Sequence, residues 1–190
     1  MGTRNVTIIK YQGKEMVRQY GQWDGYPTGA LASIVSFLQT DGAIDKLKQN
    51  LTKVELVSED YNIYPKEFNE ISRVSYMGGP YPRTIEEKRD ILAEKTGFDK
   101  EIIFRYLLST RDTGYKILDV LIFDEANVAE RIYLQKAYTD KVDWQIEAVN
   151  VIDLDKECIR SYWHSSIMRE YSFDALPDET EIEEFEHGGY

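Results

Sequence analysis

The chain has 190 residues, of which 42% are hydrophobic and 13% aromatic, and its formal net charge is −11. The hydrophobic content is enough for the core of one ordinary domain. The negative charge argues against direct binding to nucleic acid, because phosphate contacts need an excess of Lys and Arg on one face. One cysteine, Cys158, excludes an internal disulfide and a multi-cysteine zinc site.

The sequence contains neither a signal peptide nor an apolar run of the about 18 residues that a membrane-spanning helix requires. The N-terminal residues also miss the myristoylation pattern, which needs Ser or Thr where Val6 stands. We therefore expect a cytoplasmic protein with no membrane partner. An acidic protein of this kind suits basic protein partners, although solubility alone is the commoner reason for such a charge.

The N-terminal segment predicts a β-hairpin that leads into an unusual loop. Residues 3–10 are rich in β-branched side chains and residues 15–20 alternate, with a turn signal between them. Residues 20–29 (YGQWDGYPTG) then contain three glycines, three aromatics, a proline and an acid. The hairpin geometry is expected to bring Arg4 near Trp23 and the acid that follows it.

The middle of the chain predicts a block of short helices, because apolar residues recur there at helical spacing. One helix has clear end signals: Thr84 and Glu87 form a capping-box pattern, and Gly97 marks the C-terminal end. Residues 53–57 fit either a strand or a helix end. Residues 76–82 (YMGGPYP) predict a rigid connector, with a projecting contact loop as the alternative. The apolar faces of the predicted helices are Leu31, Ile34, Val35, Phe37 and Leu38; Ile44, Leu47 and Leu51; Phe68 and Ile71; Ile102, Ile103, Tyr106 and Leu107; and Ile117, Leu118, Leu121 and Ile122.

The C-terminal third predicts a second hairpin. Residues 144–152 and residues 158–163 alternate between apolar and polar, and residues 153–156 form the turn between them. Two hairpins on either side of a helical block predict an α+β fold. The two hairpins then either share one sheet or form separate ones.

The last residues of the chain differ in composition from the rest. We expect a single domain over residues 1–173, followed by an acidic tail, residues 174–190, with seven acids and no Lys or Arg. Such a tail is expected to stay solvated and mobile. Its apolar residues Ile182, Phe185 and Tyr190 would allow it to dock on a partner.

The residues that catalysis usually needs are scarce. His164 and His187 are the only histidines, and neither has a second His or Cys at metal-ligand spacing. Asp153 and Asp155 fit turn residues better than ligands of a divalent cation. Cys158 fits a small buried hydrophobe, although His164 lies on the same predicted hairpin arm. The sequence therefore favours a binding protein over an enzyme, and it indicates no metal and no cofactor.

Two interpretations of residues 20–29 are open. In the first, the glycines admit neighbouring rings and the segment is a packed turn. In the second, the segment forms a small pocket, with stacking rings and polar recognition groups from the loop and with either Arg4 or Arg111 as a counter-charge. The pair Arg111–Asp112 fits an internal ion pair at a helix junction better than a binding role. The candidate ligand-binding or partner-binding residues are Arg4, Gln22, Trp23, Asp24, Tyr26, Arg111 and Asp112.

Two segments are similar to a family of small bacteriophage and prophage proteins: residues 1–7 (MGTRNVT) and residues 20–27 (YGQWDGYP). Residues 109–114 (STRDTG) and 151–155 (VIDLD) resemble later blocks of the same family less specifically. The likeness covers most of residues 1–163. It implies a viral origin and an infected or lysogenic bacterial host, and it implies no mechanism.

A fainter likeness is to the N-terminal nucleophile hydrolases, whose chains open on a catalytic Cys, Ser or Thr and run into a hairpin. Here the removal of Met1 would expose Gly2, which has no side chain for attack. Thr3 would serve as a nucleophile only after a further cleavage. The likeness therefore concerns the layout of the sheet and argues against the activity.

Three functional hypotheses follow from the sequence. The first is a phage accessory protein that binds and inhibits a host protein with a basic surface, in anti-defence or host takeover, with carboxylates in place of nucleic-acid phosphates. The second is a small-ligand protein centred on residues 20–29, which binds or hydrolyses a nucleotide-like molecule. The third is a structural or regulatory protein of the virion.

Overall fold

The structure is a computed structural model, and it describes residues 2–57, 65–76, 82, 84–109, 113–135, 146–164 and 167–188. The strands in these ranges are β1 (Asn5–Tyr11), β2 (Lys14–Gly21), β3 (Val54–Val57), β4 (Ile132–Gln135), β5 (Ala148–Asp153), β6 (Cys158–Trp163) and β7 (Ile167–Ser172). The helices are α1 (Ala32–Leu38), α2 (Ala43–Leu51), α3 (Pro65–Tyr76), α4 (Ile85–Thr96), α5 (Lys100–Ser109), α6 (Ile117–Val120), α7 (Asp124–Val128) and α8 (Glu179–His187). A π-helical turn, Pro27–Leu31, runs directly into α1, and a 3-10 turn, Gly114–Lys116, runs into α6.

Five strands form one mixed sheet in the order β2–β1–β5–β6–β7. β1 and β5 are parallel neighbours, with Asn5 opposite Ala148 and Lys10 opposite Asp153. The other three pairings in this sheet are antiparallel. The two predicted hairpins, β1–β2 and β5–β6, therefore share one sheet, and the predicted α+β class is confirmed.

One face of this sheet carries the main core. Successive side chains of a strand point to opposite faces, so that Ile9 and Ile8 of β1 belong to different clusters. Ile9, Ile152 and Ile159 are fully buried in one cluster with the helices. The helical side of that cluster includes Leu31, Ile34, Leu47, Leu51, Ile103, Leu107, Ile117 and Leu118. The opposite face of the sheet buries a smaller cluster of Val6, Ile8, Ile146, Val149 and Val151.

A small second sheet was not predicted. β3 and β4 pair in parallel, with Val54 opposite Ile132 and Val57 opposite Gln135. Residues 53–57, which fitted a strand or a helix end, are thus mostly strand. Each strand of the pair has four residues. So short a segment shows no clear period, and its partner lies far along the chain, which is why the local pattern left it undecided.

The predicted ends of the fourth helix are confirmed. The Oγ1 atom of Thr84 accepts a hydrogen bond from the backbone N–H of Glu87 at 3.1 Å. Gly97 ends α4 with a φ of 72°, a left-handed conformation that glycine adopts without strain. The predicted connector at residues 76–82 falls largely outside the described residues, as do residues 144 and 145 of the second predicted hairpin.

The acidic C-terminal segment differs from the solvated tail that its composition predicted. Residues 179–187 form α8, whose N-terminal end carries a full capping box between Asp178 and Glu181. Ile182 and Phe185 are 3% and 1% exposed and belong to the main core. These two residues lie on one face of the helix, so the segment is amphipathic and its apolar face is covered by the body of the protein. Overall composition did not reveal this pattern.

Candidate binding surface

The loop after β2 is fixed to the N-terminal strand by a buried amide. The side chain of Asn5 is fully buried, and its Nδ2 donates to the carbonyl oxygens of Gly21 at 3.3 Å and Trp23 at 3.2 Å. The backbone N–H of Gly25 donates to the carbonyl oxygen of Thr3 at 3.1 Å. These three bonds hold the chain on both sides of Trp23, so the loop has one defined backbone course.

The glycines of this loop are required by close packing. A Cβ atom on Gly25 would stand 2.7 Å from the carbonyl oxygen of Thr3, and one on Gly21 would stand 2.8 Å from the Nδ2 of Asn5. Both distances are shorter than a real Cβ contact, so neither position accepts a side chain without a shift. The packing of a turn around Asn5 thus accounts for two of the three glycines between residues 20 and 29.

The aromatic side chains of the loop point outward. We call residues 22–26 the aromatic loop. Trp23 is 59% exposed and Tyr26 is 45% exposed. Asp24 between them has a φ of 56°, a left-handed conformation that usually costs a non-glycine residue about 1–2 kcal/mol. The surroundings therefore hold a strained backbone in the position that exposes both rings.

Tyr26 also connects the aromatic loop to the C-terminal helix. The ring of Tyr26 lies 6.1 Å from the buried ring of Trp163, centroid to centroid. The Nε1 of Trp163 donates to the carbonyl oxygen of Glu186 in α8 at 3.1 Å. The carboxylate of Glu186 accepts two hydrogen bonds from Thr28, from its backbone N–H at 3.0 Å and its hydroxyl at 2.6 Å. The ring of His164 packs against that of Trp163 in a tilted arrangement, with 4.0 Å between the ring centroids. The aromatic loop and α8 thus form adjoining parts of one surface.

Arg4, one of the two arginines predicted as a counter-charge, is engaged elsewhere. The guanidinium Nε of Arg4 lies 3.6 Å from the carboxylate of Glu147, which also accepts a 2.7 Å bond from the backbone N–H of Arg4. The hairpin brings the N-terminal backbone to the loop, through Thr3 and Gly25, but the ion pair of the Arg4 side chain is made with the residue before β5. Sequence analysis missed this pairing, because the two residues are separated by 143 positions.

Two of the predicted site residues, Arg111 and Asp112, lie outside the described residues. The residues that follow them lie against the end of β2, where the loop begins. The Oγ1 of Thr113 donates to the Oε1 of Gln19 at 3.0 Å. The Cα of Gly114 lies 3.1 Å from the Cβ position of Gly21. The predicted site residue Gln22 accepts a hydrogen bond from the hydroxyl of Tyr20 at 2.6 Å.

A row of buried polar side chains crosses the helical face of the sheet, and sequence analysis did not identify it. Thr7 stands between Gln19 of β2 and Asn150 of β5 in the strand register, and Ser161 of β6 follows. All four are at most 2% exposed. The Oγ of Ser161 donates to the Oδ1 of Asn150 at 2.7 Å, and the Nε2 of Gln19 donates to a backbone oxygen of β4 at 2.7 Å. In the sequence, the one sign of this row was that the polar residues Asn5 and Thr7 alternate with apolar residues in the first strand.

The cysteine and histidine do not form a catalytic pair. Cys158 begins β6 and His164 follows its last residue, so the two lie at opposite ends of the strand. Burial raises the pKa of the Cys158 thiol, which keeps it in the less reactive protonated form. The carboxylate of Asp155 accepts bonds from the backbone N–H groups of Gln12 and Gly13, at 2.9 and 2.8 Å, as a turn residue does. Among the described residues, no group of three or more His, Cys, Asp and Glu side chains is arranged to hold a metal ion.

A scan of the chain against family models found no match, and comparisons with curated proteins and with solved structures found none either. Of the helices in the described ranges, none is both long enough and apolar enough to cross a membrane. The fold and the surface define an α+β protein with an exposed aromatic loop next to an acidic helix.

Proposed function

We propose that this α+β protein is a binding protein that occupies the surface of a host protein in a bacteriophage-infected cell and thereby inhibits it. The observation that carries the proposal is the exposure of Trp23 and Tyr26 on a backbone that Asn5 holds in place. Large aromatic side chains are enriched at the centres of protein interfaces, and a fixed backbone reduces the entropy that is lost on binding. The similarity of residues 1–7 and 20–27 to phage proteins supports a host partner.

The charge of the protein supports a partner with a basic surface. The net charge is −11, and α8, which adjoins the aromatic loop, carries a row of exposed carboxylates. These belong to Glu179, Glu181, Glu183 and Glu184. A basic surface that normally holds nucleic acid would be drawn to such a face, because opposite potentials steer association. Inhibition would follow from occupation of that surface.

Three observations favour a protein partner over a small nucleotide-like ligand. Arg4, one of the two expected counter-charges, is paired with Glu147, and the other, Arg111, lies outside the described residues. Two clefts that the structure describes are lined by other residues, and neither Trp23 nor Tyr26 takes part in them. Neighbouring atoms occupy the space where a side chain would stand at each glycine of the loop, so the glycines do not open a cavity. An exposed ring on a packed loop suits a flat contact more than an enclosed one.

The proposal is tested by capture of the tagged chain from infected-cell lysate, with quantitative mass spectrometry of the proteins retained. We expect one host protein in stoichiometric amount, and its loss with the variants Trp23→Ala and Tyr26→Ala. Trp23 is more than half exposed and Tyr26 nearly half exposed, so the variants should fold. Circular dichroism and a thermal melt verify this for each variant.

The matched control is Val128→Ala, because Val128 is an 83% exposed apolar residue on α7, remote in sequence from the loop. This variant should retain the partner. Retention of the partner by both aromatic variants would overturn the loop as the contact surface. The absence of any stoichiometric host protein, together with a thermal shift on addition of nucleotides, would favour the small-ligand hypothesis instead.

A further inference from the structure

The chain contains two Asp–Gly pairs, Asp24–Gly25 in the aromatic loop and Asp41–Gly42 between α1 and α2. Aspartate isomerises most easily when glycine follows it, because glycine has no side chain to shield its backbone nitrogen from the neighbouring carboxyl group. In a folded protein the reaction also depends on the freedom of that nitrogen and of the peptide bond that carries it. The structure gives the two pairs opposite environments.

The peptide bond between Asp24 and Gly25 is held in place by its surroundings. The backbone N–H of Gly25 donates to the carbonyl oxygen of Thr3 at 3.1 Å, and Gly25 is buried. A Cβ position on Gly25 lies 2.7 Å from that oxygen and 2.9 Å from the Cβ of Asn5. The nitrogen is therefore engaged in a hydrogen bond, and packed atoms oppose the rotation that would turn it toward the carboxyl group of Asp24.

Asp41 and Gly42 are both exposed, and they lie at the centre of a tight turn. The turn is closed by a hydrogen bond of 3.1 Å from the backbone N–H of Ala43 to the carbonyl oxygen of Thr40. Gly42 has a φ of 71° and a ψ of −2°, as the third residue of a type II turn requires. Its own N–H makes no hydrogen bond within the described ranges, and a Cβ on it would meet nothing within 4 Å. The nitrogen is therefore accessible and the space around it is open.

We propose that Asp41 is a site of spontaneous isomerisation to isoaspartate, and that the fold protects Asp24 from the same reaction. The Gly42 nitrogen attacks Cγ of the protonated Asp41 carboxyl group; an N–Cγ bond forms, the C–OH bond breaks, and the hydroxyl leaves with the amide hydrogen as water. The product is a cyclic succinimide. Water then adds to the main-chain carbonyl carbon of Asp41, and the bond from that carbon to the Gly42 nitrogen breaks. The carbon keeps the hydroxyl as a new carboxyl group and the nitrogen takes the hydrogen, so the mass of the chain is unchanged.

The isomerised residue differs from aspartate in two ways. The main chain between α1 and α2 becomes one carbon longer, and a carboxylate stands directly on the Cα of residue 41. The chain thereby becomes a substrate for isoaspartate-specific carboxyl methyltransferases, which transfer a methyl group from S-adenosylmethionine to that carboxylate. Leu38 and Ala43 on either side of the turn are 7% and 2% exposed, so both helices remain anchored in the core when the turn changes. This modification does not depend on the partner of the aromatic loop.

The test incubates the full chain at mildly acidic pH and physiological temperature, and isoaspartate is located by peptide mapping with electron-transfer fragmentation. No Lys or Arg stands between Arg18 and Lys46, so trypsin releases both Asp–Gly pairs in one peptide. Asp41 should isomerise faster than Asp24 by a factor on the order of ten, because the hydrogen bond of the Gly25 nitrogen must break before that nitrogen attacks. Enzymatic methylation with labelled S-adenosylmethionine provides a second measurement.

Two variants and one condition separate the effect of the fold from that of the sequence. Asp41→Glu retains the charge but would require a larger ring, so it should remove most of the methylation. The control Asp45→Glu changes an exposed aspartate of α2 that precedes a lysine, and it should leave the methylation unchanged. Thermal melts verify that both variants fold. In guanidinium chloride the two pairs lose their different environments, and Asp24 and Asp41 should isomerise at similar rates.

Several outcomes would overturn the proposal. Equal rates at Asp24 and Asp41 in the folded chain, or a faster reaction at Asp24, would show that the fold does not protect the loop. Unchanged methylation of the Asp41→Glu variant would place the modified residue elsewhere. A rate difference that persists in guanidinium chloride would assign the protection to the local sequence and reject the role of the fold.

Discussion

The indole Nε1 of Trp163 donates a hydrogen bond to the carbonyl oxygen of Glu186 at 3.1 Å. This bond joins the end of β6 to α8, and the Glu186 side chain joins α8 in turn to Thr28. The acidic helix is therefore held beside the aromatic loop by contacts from two separate parts of the chain. A surface that combines exposed rings with carboxylates exists only while α8 is attached.

The attachment of α8 depends on Phe185, which is 1% exposed and lies under the guanidinium of Arg169 at 5.5 Å. Phe185→Ala should lower the free energy of unfolding by about 3–5 kcal/mol, because it removes a buried ring and leaves a cavity. Urea denaturation gives this value. Glu184→Ala, at an exposed position of the same helix, should change it by less than about 0.5 kcal/mol. Equal values for the two variants would contradict the packing described for α8.

Gly25→Ala should disturb the aromatic loop, because the new Cβ would lie 2.7 Å from a backbone oxygen and 2.9 Å from the Cβ of Asn5. We expect a loss of about 1–3 kcal/mol in the free energy of unfolding, as for overpacking. The comparison is Gly13→Ala at the β1–β2 turn, where a Cβ would meet nothing within 4 Å and only the positive φ of 70° opposes the change. Amide shifts should move around Asn5 in the first variant alone. A Gly25→Ala protein with unaltered shifts at Asn5 would show that the loop is not packed as described.

Asp119 should make stability depend on pH. Although the side chain is exposed at the surface, desolvation by the surrounding protein and the carboxylate of Glu86 raise its pKa from 3.8 to about 6. The folded protein therefore holds a proton that the unfolded chain has released. Stability should therefore fall as the pH rises from about 4 to about 6 and stay lower above that range. Asp119→Asn should be more stable than the parent at pH about 7.5, by less than about 1 kcal/mol because the exposed charge is screened, and equal to it at pH about 4. A stability difference that is the same at both pH values would refute this assignment.

Asp155 should make the stability depend on pH in the opposite direction to Asp119. The backbone N–H groups of Gly13 and Gln12 bind its carboxylate and lower its pKa, and this contact joins the turns of the two hairpins. The stabilisation is present above the ordinary pKa of an aspartate and is lost as the pH falls through the lowered value. Asp155→Asn should thus be less stable than the parent at neutral pH, and the difference should vanish at strongly acidic pH. Thermal melts over a pH series provide the measurement, and a difference that persists in acid would contradict it.

Those parts of the fold that depend on residues close together in the sequence could be predicted from it. The β1–β2 hairpin follows from alternation and a turn, and the ends of α4 follow from Thr84 and Gly97. The parallel pair β3–β4 could not be predicted, because each strand is short and its partner is remote. The burial of Ile182 and Phe185 was obscured by the acids around them, although their spacing of three positions is helical.

In the candidate site, too, the features that are local in the sequence could be predicted and those that depend on remote residues could not. The composition of residues 20–29 identified an unusual loop. The structure shows Gly21 and Gly25 packed against Asn5, with the rings of Trp23 and Tyr26 exposed to solvent. The hydrogen bonds from Asn5 to the loop could not be predicted, because a polar residue that alternates with apolar ones in a strand usually indicates an exposed position. The pairing of Arg4 with Glu147 is set by the parallel register of β1 and β5, which no local pattern encodes.

The parallel pairing of β1 with β5 also bears on the synthesis of the chain. Asn5 leaves the ribosome 143 residues before Ala148, its neighbour in β5. At usual elongation rates this interval is on the order of ten seconds. During that time the inner edge of the N-terminal hairpin presents unpaired backbone groups, which other strands can add to. The nascent protein should therefore depend on chaperone protection until β5 pairs with β1.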